Sequence, residues 1–204
     1  MFLNKRLVKY INFAQKYNNL AKQKVDIDFI INQSIKLFRI KTYHNTSMSD
    51  IAEACGLLKG SLYHYFKSKE ELMGKVIIAV HEYFKTEVFT FAFKEELNGV
   101  DRLQLLFEAA QIVFVNKKTG KMYGNMGVES AMVISDFTPL LQSFFNDFFL
   151  ALKHIYQTKF EESIAEELAE RSVAEIEGSI MLSRIYDNPQ YIFNTFERLI
   201  DRIR

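Results

Sequence analysis

The sequence predicts an all-α protein, a three-helix head built on a helix-turn-helix followed by a larger helical body. Three observations carry this. Only 2 prolines and 8 glycines punctuate the 204 residues, and strong helix formers dominate the remainder. Apolar residues recur three and four positions apart, with no strand-like alternation and no internal repeat. Between Met48 and Leu72 (MSDIAEACGLLKGSLYHYFKSKEEL) Gly56 stands where two short helices would turn, a place that wants a residue tolerant of positive φ. No apolar run approaches the ~20 residues of a membrane span. A single cysteine rules out an internal disulfide.

Residues 1–24 form a basic extension. Lys5, Arg6, Lys9, Lys16, Lys22 and Lys24 occur there with no acid, while Leu3, Leu7, Ile11 and Ala14 keep helical spacing. Charges interrupt every apolar run, against a secretory signal, and the apolar face is thin for a membrane-surface helix. Two readings stay open: an arm that adds phosphate contacts, or an extension without function.

The head is assigned to residues 25–72. Asp26 or Asp28 caps a first helix whose expected buried stripe is Ile27, Ile30, Ile31, Ile35, Leu37 and Phe38. Ser47 caps the second, with Asp50 at its third position. Ala52 is small enough for close helix crossing, and Ile51, Cys55, Leu57, Leu62 and Tyr65 are expected to face inward. Lys59, Gly60, Ser61, Tyr63 and His64 are left outward, a short hydrogen-bonding set suited to a DNA major groove. Ser68 and Glu71 predict a capping box at the next helix. Charge agrees: residues 1–75 hold 13 lysines and arginines against 6 acids, and residues 76–204 hold 13 against 19. A basic head on an acidic body is the footprint of nucleic-acid binding at one end.

The string Lys59–Leu72 (KGSLYHYFKSKEEL) resembles the DNA-binding signature of the TetR/AcrR family of bacterial transcriptional regulators. The resemblance is sharp over residues 26–78 and weaker beyond. It implies that Lys59, Gly60, Ser61, Tyr63, His64 and Tyr65 meet DNA, with Thr46 and Ser47 ahead of the preceding helix and Lys69 at the start of the next. Gly60 would let the backbone approach a phosphate, Tyr63 and Lys69 would bond backbone oxygens, and Ser61 and His64 would read base edges. The chain departs from the family at four places. Thr42 stands where a glycine usually ends the first helix, and a β-branched residue disfavours positive φ, so a differently shaped helix end is expected. Leu58 replaces a capping serine or threonine, a loss of about 1 kcal/mol. Tyr65 replaces a common histidine. Gly120–Ser130 resembles one branch of the family but carries Lys121 in place of its cysteine, so thiol sensing is not expected there.

Residues 73–204 form the body. A long helix from Lys69 to Glu96 is expected to stop at Asn98-Gly99, with further helices over Val100–Asn116, Gly127–Ile134, Pro139–Thr158, Glu162–Tyr186 and Pro189–Ile203. Lys117–Gly120 and Ser135–Pro139 read as loops. The chain has 19 phenylalanines, and Phe144, Phe145, Phe148 and Phe149 make one wide aromatic stripe. The resemblance implies an inducer pocket among these helices. Phe84, Phe107, Met126, Glu129, Phe144 and Phe148 are its candidate walls, and an apolar or aromatic ligand in about 300–1,000 Å³ is expected. For any one of these residues plain core packing is the competing reading. Gly178, Ser179 and Ser183 (small, allowing close approach) with Phe193, Phe196 and Ile200 (apolar area) are the candidate homodimer interface, in the four-helix form the family uses.

Nothing argues for catalysis. His44, His64, His81 and His154 are scattered without metal-ligand spacing, and no phosphate loop or nucleophile elbow occurs, so neither metal nor cofactor is expected. Cys55 is read as a small buried hydrophobe rather than a sensor thiol. The sequence thus reads as a cytoplasmic, homodimeric repressor, binding a palindromic double-stranded operator and released by a small apolar inducer. The alternative is a helical carrier of a hydrophobic molecule with a vestigial DNA-binding head. A helical enzyme is a more distant third.

Overall fold

The computed structural model describes residues 25–114 and 137–204, which fold as helices joined by short connections. The basic extension, the predicted helix Gly127–Ile134, Lys121, Met126 and Glu129 lie outside the described residues. In order come α1 (Ile27–Lys41), α2 (Met48–Ala54), α3 (Lys59–Tyr65), α4 (Lys69–Glu87), a 3-10 turn (Phe89–Phe93), α5 (Gly99–Phe114), α6 (Thr138–Tyr156), α7 (Glu162–Ile185) and α8 (Gln190–Ile203).

The head begins where Asp26 accepts the Phe29 N–H at 2.8 Å. Ile30, Ser34 and Phe38 form the buried face of α1. Ile27, expected inside, is half exposed, because it precedes the first packed turn. Ser47 and Asp50 cap α2 reciprocally. Gly56 turns the chain at φ 66°, and the Leu57 N–H returns to the Ala52 carbonyl at 2.8 Å. Ile51, Ala52, Cys55 and Leu62 are buried. Tyr65 is not: it is 38 % exposed, and Phe66, at 2 %, takes the inward place. Helix α3 ends at Tyr65, and the extended backbone of Phe66 (φ −139°, ψ 122°) swings its ring under the helix pair.

Ser68 accepts the Glu71 N–H at 3.1 Å, but the Glu71 carboxylate takes the Lys67 N–H at 2.7 Å rather than that of Ser68. The predicted box is therefore offset by one residue on its return bond. Helix α4 stops at Glu87, well short of Glu96. Val88 caps the helix (φ −117°, ψ −64°), its N–H still reaching Phe84 O at 3.0 Å, and it begins a run of β-branched and aromatic residues (Val88, Phe89, Thr90, Phe91), each a weak helix former. Arg102 anchors the 3-10 turn by donating to the carbonyls of Leu97 (2.8 Å) and Ala92 (3.2 Å). Asn98-Gly99 opens α5 instead of closing a helix. Asn98 accepts the Asp101 N–H at 2.9 Å, and a Cβ on Gly99 would lie 2.2 Å from Thr158 Oγ1, so the site admits no side chain without movement.

Two buried clusters result. The head cluster holds Ile30, Phe38, Tyr43, Ile51, Leu62, Phe66 and Leu72, and extends along α4 to Ile77 and to Phe137 just ahead of α6. The body cluster takes in Phe84, Val88, Phe107, Phe148, Tyr156, Ile176 and Phe196. Helix α4 thus belongs to both. Within the body, Ala165, Ala169, Ser172 and Ser179 keep α7 close to its neighbours α6 and α8, and Tyr156 shares a 2.8 Å hydrogen bond with Ser172.

Candidate nucleic-acid interface

The open face of the head carries a recess of about 430 Å³. The start of α2 and the loop before it supply His44, Asn45, Thr46, Ser47, Met48 and Asp50; α3 supplies Lys59 and Tyr63; α4 supplies Lys69. Five of the residues predicted to meet DNA therefore come together here: Thr46, Ser47, Lys59, Tyr63 and Lys69. They are not equally free. The Thr46 side chain is buried, and its hydroxyl donates to the Thr42 carbonyl at 2.7 Å, so this group is structural rather than a reaching contact. Ser47 is exposed but engaged with Asp50.

Lys69 is the best-held cation of the face. Its ammonium donates to the carbonyls of Tyr43 (3.0 Å) and Thr46 (3.1 Å) and lies 4.2 Å from the Tyr43 ring centre. An ammonium has three donors, so one remains for an outside acceptor. Tyr43, which the sequence reading missed, organises this corner. It is buried, and its hydroxyl donates to Glu70 at 3.1 Å. Burial first, and the Glu70 charge second, raise its hydroxyl well above the usual tyrosine range. The only signal available was an aromatic residue four positions ahead of a capping serine.

On α3, Lys59, Gly60, Tyr63 and His64 are exposed and Ser61 is half-buried. A Cβ on Gly60 would meet nothing within 4 Å, so no internal contact requires glycine there. Tyr65 donates its hydroxyl to the Val25 carbonyl at 3.1 Å, tying the end of α3 to the root of α1. Burial pushes the Cys55 thiol up to about 11, so a thiolate is scarce at neutral pH and the group is a poor sensor.

Behind the head, the body encloses a small apolar cavity. Phe84, Phe107, Phe144 and Phe148, four of the candidate ligand-site residues, line it, joined by Phe89, Phe196, Leu106, Ile176 and, as its polar member, Glu177. Its volume is about 20 Å³, far below the expected range, because the rings fill the space with one another. Phe89 stacks on Phe148 at 5.4 Å and Phe107 on Phe196 at 4.0 Å. Beside it His81 meets Asp147 at 2.9 Å, bridging α4 and α6.

The candidate interface residues divide. Ser179, Ser183 and Phe196 are buried within the single chain, where α7 needs small residues against its own neighbours and Phe196 covers Phe107. Phe193 and Ile200 are half-buried against the same core. Gly178 faces open space. With it, at helical spacing, Met181 and Ile185 are exposed, and Tyr186 stacks on Tyr191 at the outer corner. This exposed apolar stripe was present in the sequence as Gly178, Met181 and Ile185, three and four residues apart.

The profile described as bacterial regulatory proteins, tetR family, matches residues 30–76, the span that builds the head. An uncharacterized HTH-type transcriptional regulator of Bacillus subtilis, YxaF, is 24 % identical over 157 residues, 76 % of this chain and 82 % of that protein. The HTH-type transcriptional regulator UidR of Escherichia coli is 29 % identical over 80 residues, 39 % of this chain and 38 % of that protein. Among solved structures, a TetR transcriptional regulator from Legionella pneumophila superposes with a TM-score of 0.78 at 18 % identity, covering 90 % of this chain and all of the other. A regulatory protein TetR from Rhodobacter sphaeroides gives 0.73 at 20 % identity over 86 % and 97 %. At such identities these two likenesses concern the fold alone.

Proposed function

Because the chain belongs to the TetR family of bacterial regulatory proteins, DNA-binding transcriptional regulators, we propose that it is a homodimeric repressor of a palindromic operator, relieved by a small apolar ligand. The observation that carries the DNA-binding surface is the exposed set Lys59, Gly60, Tyr63 and His64 beside a recess that Lys69 also lines. Lys59 and the remaining donor of Lys69 supply positive charge to phosphates, Tyr63 supplies a hydroxyl to the same backbone, and His64 is left to read a base edge. Thr46 and Tyr65 support this surface through their bonds to Thr42 and Val25.

Two further features support the finer reading. The stripe of Gly178, Met181 and Ile185 offers apolar area to a second copy, which would set two α3 helices about 34–36 Å apart, one turn of DNA. The aromatic cavity supplies a ligand site that must widen to be used. Among the described residues no helix is long and apolar enough to cross a membrane, and action on bacterial DNA would place the protein in the cytoplasm.

The test begins with selection of duplexes from a random pool by the full-length protein. The enriched sequences are expected to be palindromic and to bind two chains. Tyr63→Ala should then weaken the selected duplex by about 1–3 kcal/mol in a mobility-shift titration. Unchanged affinity would remove Tyr63 from the interface, and an unenriched pool would remove the function.

A further inference from the structure

Leu58 is 80 % exposed, more than any other large apolar side chain of the described residues. It occupies the N-cap of α3 (φ −70°, ψ 145°) and makes no side-chain cap hydrogen bond. Serine, threonine, asparagine or aspartate at an N-cap accepts a backbone N–H and stabilises the helix. Leucine gives that up, and in the free protein it gains nothing from burial in return. The folded chain by itself supplies no reason for this residue.

Its surroundings do. Leu58, Lys59 and Gly60 form a continuous exposed run at the beginning of α3, and the space beside Gly60 is open. In a helix-turn-helix the first residues of the second helix are those that meet base edges in the major groove. The apolar group displayed there by a base pair is the thymine 5-methyl. Resting on the DNA-binding reading, we propose that Leu58 is a specificity-determining residue that packs its isobutyl group against a thymine methyl in each operator half-site.

The contact would discriminate in two ways. A thymine methyl against leucine removes apolar surface of both partners from water. A cytosine at the same place would press its 4-amino group against hydrocarbon and leave a donor without an acceptor. Lys59 and Tyr63 can hold phosphates whatever the sequence, so Leu58 supplies selectivity that these contacts lack.

The test uses the duplex selected by the wild-type, full-length protein. Each thymine is replaced singly by deoxyuridine, which removes only the methyl, and Kd is measured by fluorescence anisotropy for wild type, Leu58→Ser and Leu58→Ala. At one thymine per half-site the wild type is expected to lose about fourfold, the effect of one methyl-sized group returned to water. Both variants should be indifferent at that thymine while responding as the wild type does at every other. The serine variant, which can restore a cap, and the alanine variant, which cannot, separate lost recognition from altered helix stability. If no thymine shows a methyl effect that disappears in both variants, the proposal is overturned. If the pool yields no preferred duplex, the DNA-binding reading itself falls and takes the proposal with it.

Discussion

At φ 68°, ψ 164°, Thr42 holds a β-branched side chain in a region that glycine occupies with least strain. Neighbouring bonds hold it there: its N–H donates to Phe38 O at 3.0 Å, its carbonyl accepts the Thr46 hydroxyl at 2.7 Å, and its Oγ1 accepts from Asn45 at 3.1 Å. The expected difference in helix-end shape is found, since ψ lies far from the left-handed helical value, but the sign of φ was misjudged. Residue type states a preference, and what overrides it is this set of bonds to Phe38, Asn45 and Thr46, whose neighbouring carbonyls at Tyr43 and Thr46 are held in turn by Lys69 from a later helix. Gly56 and Leu58 were legible because their roles are local: one turns the chain, the other lacks a cap. Thr42→Gly should relieve about 1–3 kcal/mol of strain and return about 0.5–1 kcal/mol as backbone entropy. A net stabilisation of about 1 kcal/mol is expected in denaturant unfolding. A less stable variant would show that the Asn45 bond outweighs the strain.

At the scale of elements, the best-read helices are those with marked ends. Asp26, Ser47 and Ser68 each cap as their residue type suggests, and α6, α7 and α8 fall within two residues of their predicted bounds. The failure at Glu87 has the opposite cause: nothing polar marks the break, and the aromatic residues that make it are also good core residues. The capping box of α2 carries a charge with a measurable consequence. A hydrogen bond from Lys41 at 2.8 Å, then bonds from Ser47, hold the Asp50 carboxyl well below the usual carboxylate range. A group depressed in the folded state stabilises it fully above the unfolded value of about 4 and loses that contribution as pH falls below it. The acid limb of wild-type stability below about pH 4 should therefore be steeper than that of Asp50→Asn, with the two differing most at neutral pH. Thermal midpoints measured from pH 3 to 7 decide it, and curves parallel over the whole range would count against the ion pair.

Across the whole molecule, α4 is the shared part, with Leu72, Met73 and Val76 in the head's core and Phe84 in the body's. Phe137, Leu140 and Leu141 at the start of α6 also pack on the head. The sequence displayed the aromatic residues but not their partners, because each pairing joins positions tens of residues apart. Phe144 shows what was hidden: its ring lies 5.1 Å from Phe84, 5.6 Å from Phe89 and 5.6 Å from His81, so a cavity wall is in contact with α4. His81 and Lys85 of α4 in turn reach Asp147 at 2.9 and 3.5 Å. A guest larger than a space of about 20 Å³ would have to displace lining rings, among them the stacked Phe89 and Phe148 and also Phe144, whose ring contacts reach Phe84 and His81 of α4. On the proposed reading, ligand and operator would favour different placements of the head, and linkage would make each weaken the other. Phe148→Leu enlarges the cavity at less cost than the ~3–5 kcal/mol of a truncation to alanine. In this variant benzene should raise the thermal midpoint and lower operator affinity together, with a smaller response in the wild type. If benzene stabilises the variant while operator affinity stays unchanged, the cavity is not coupled to α4. If it does neither, the aromatic cluster is core packing alone, and the proposed ligand has no site there.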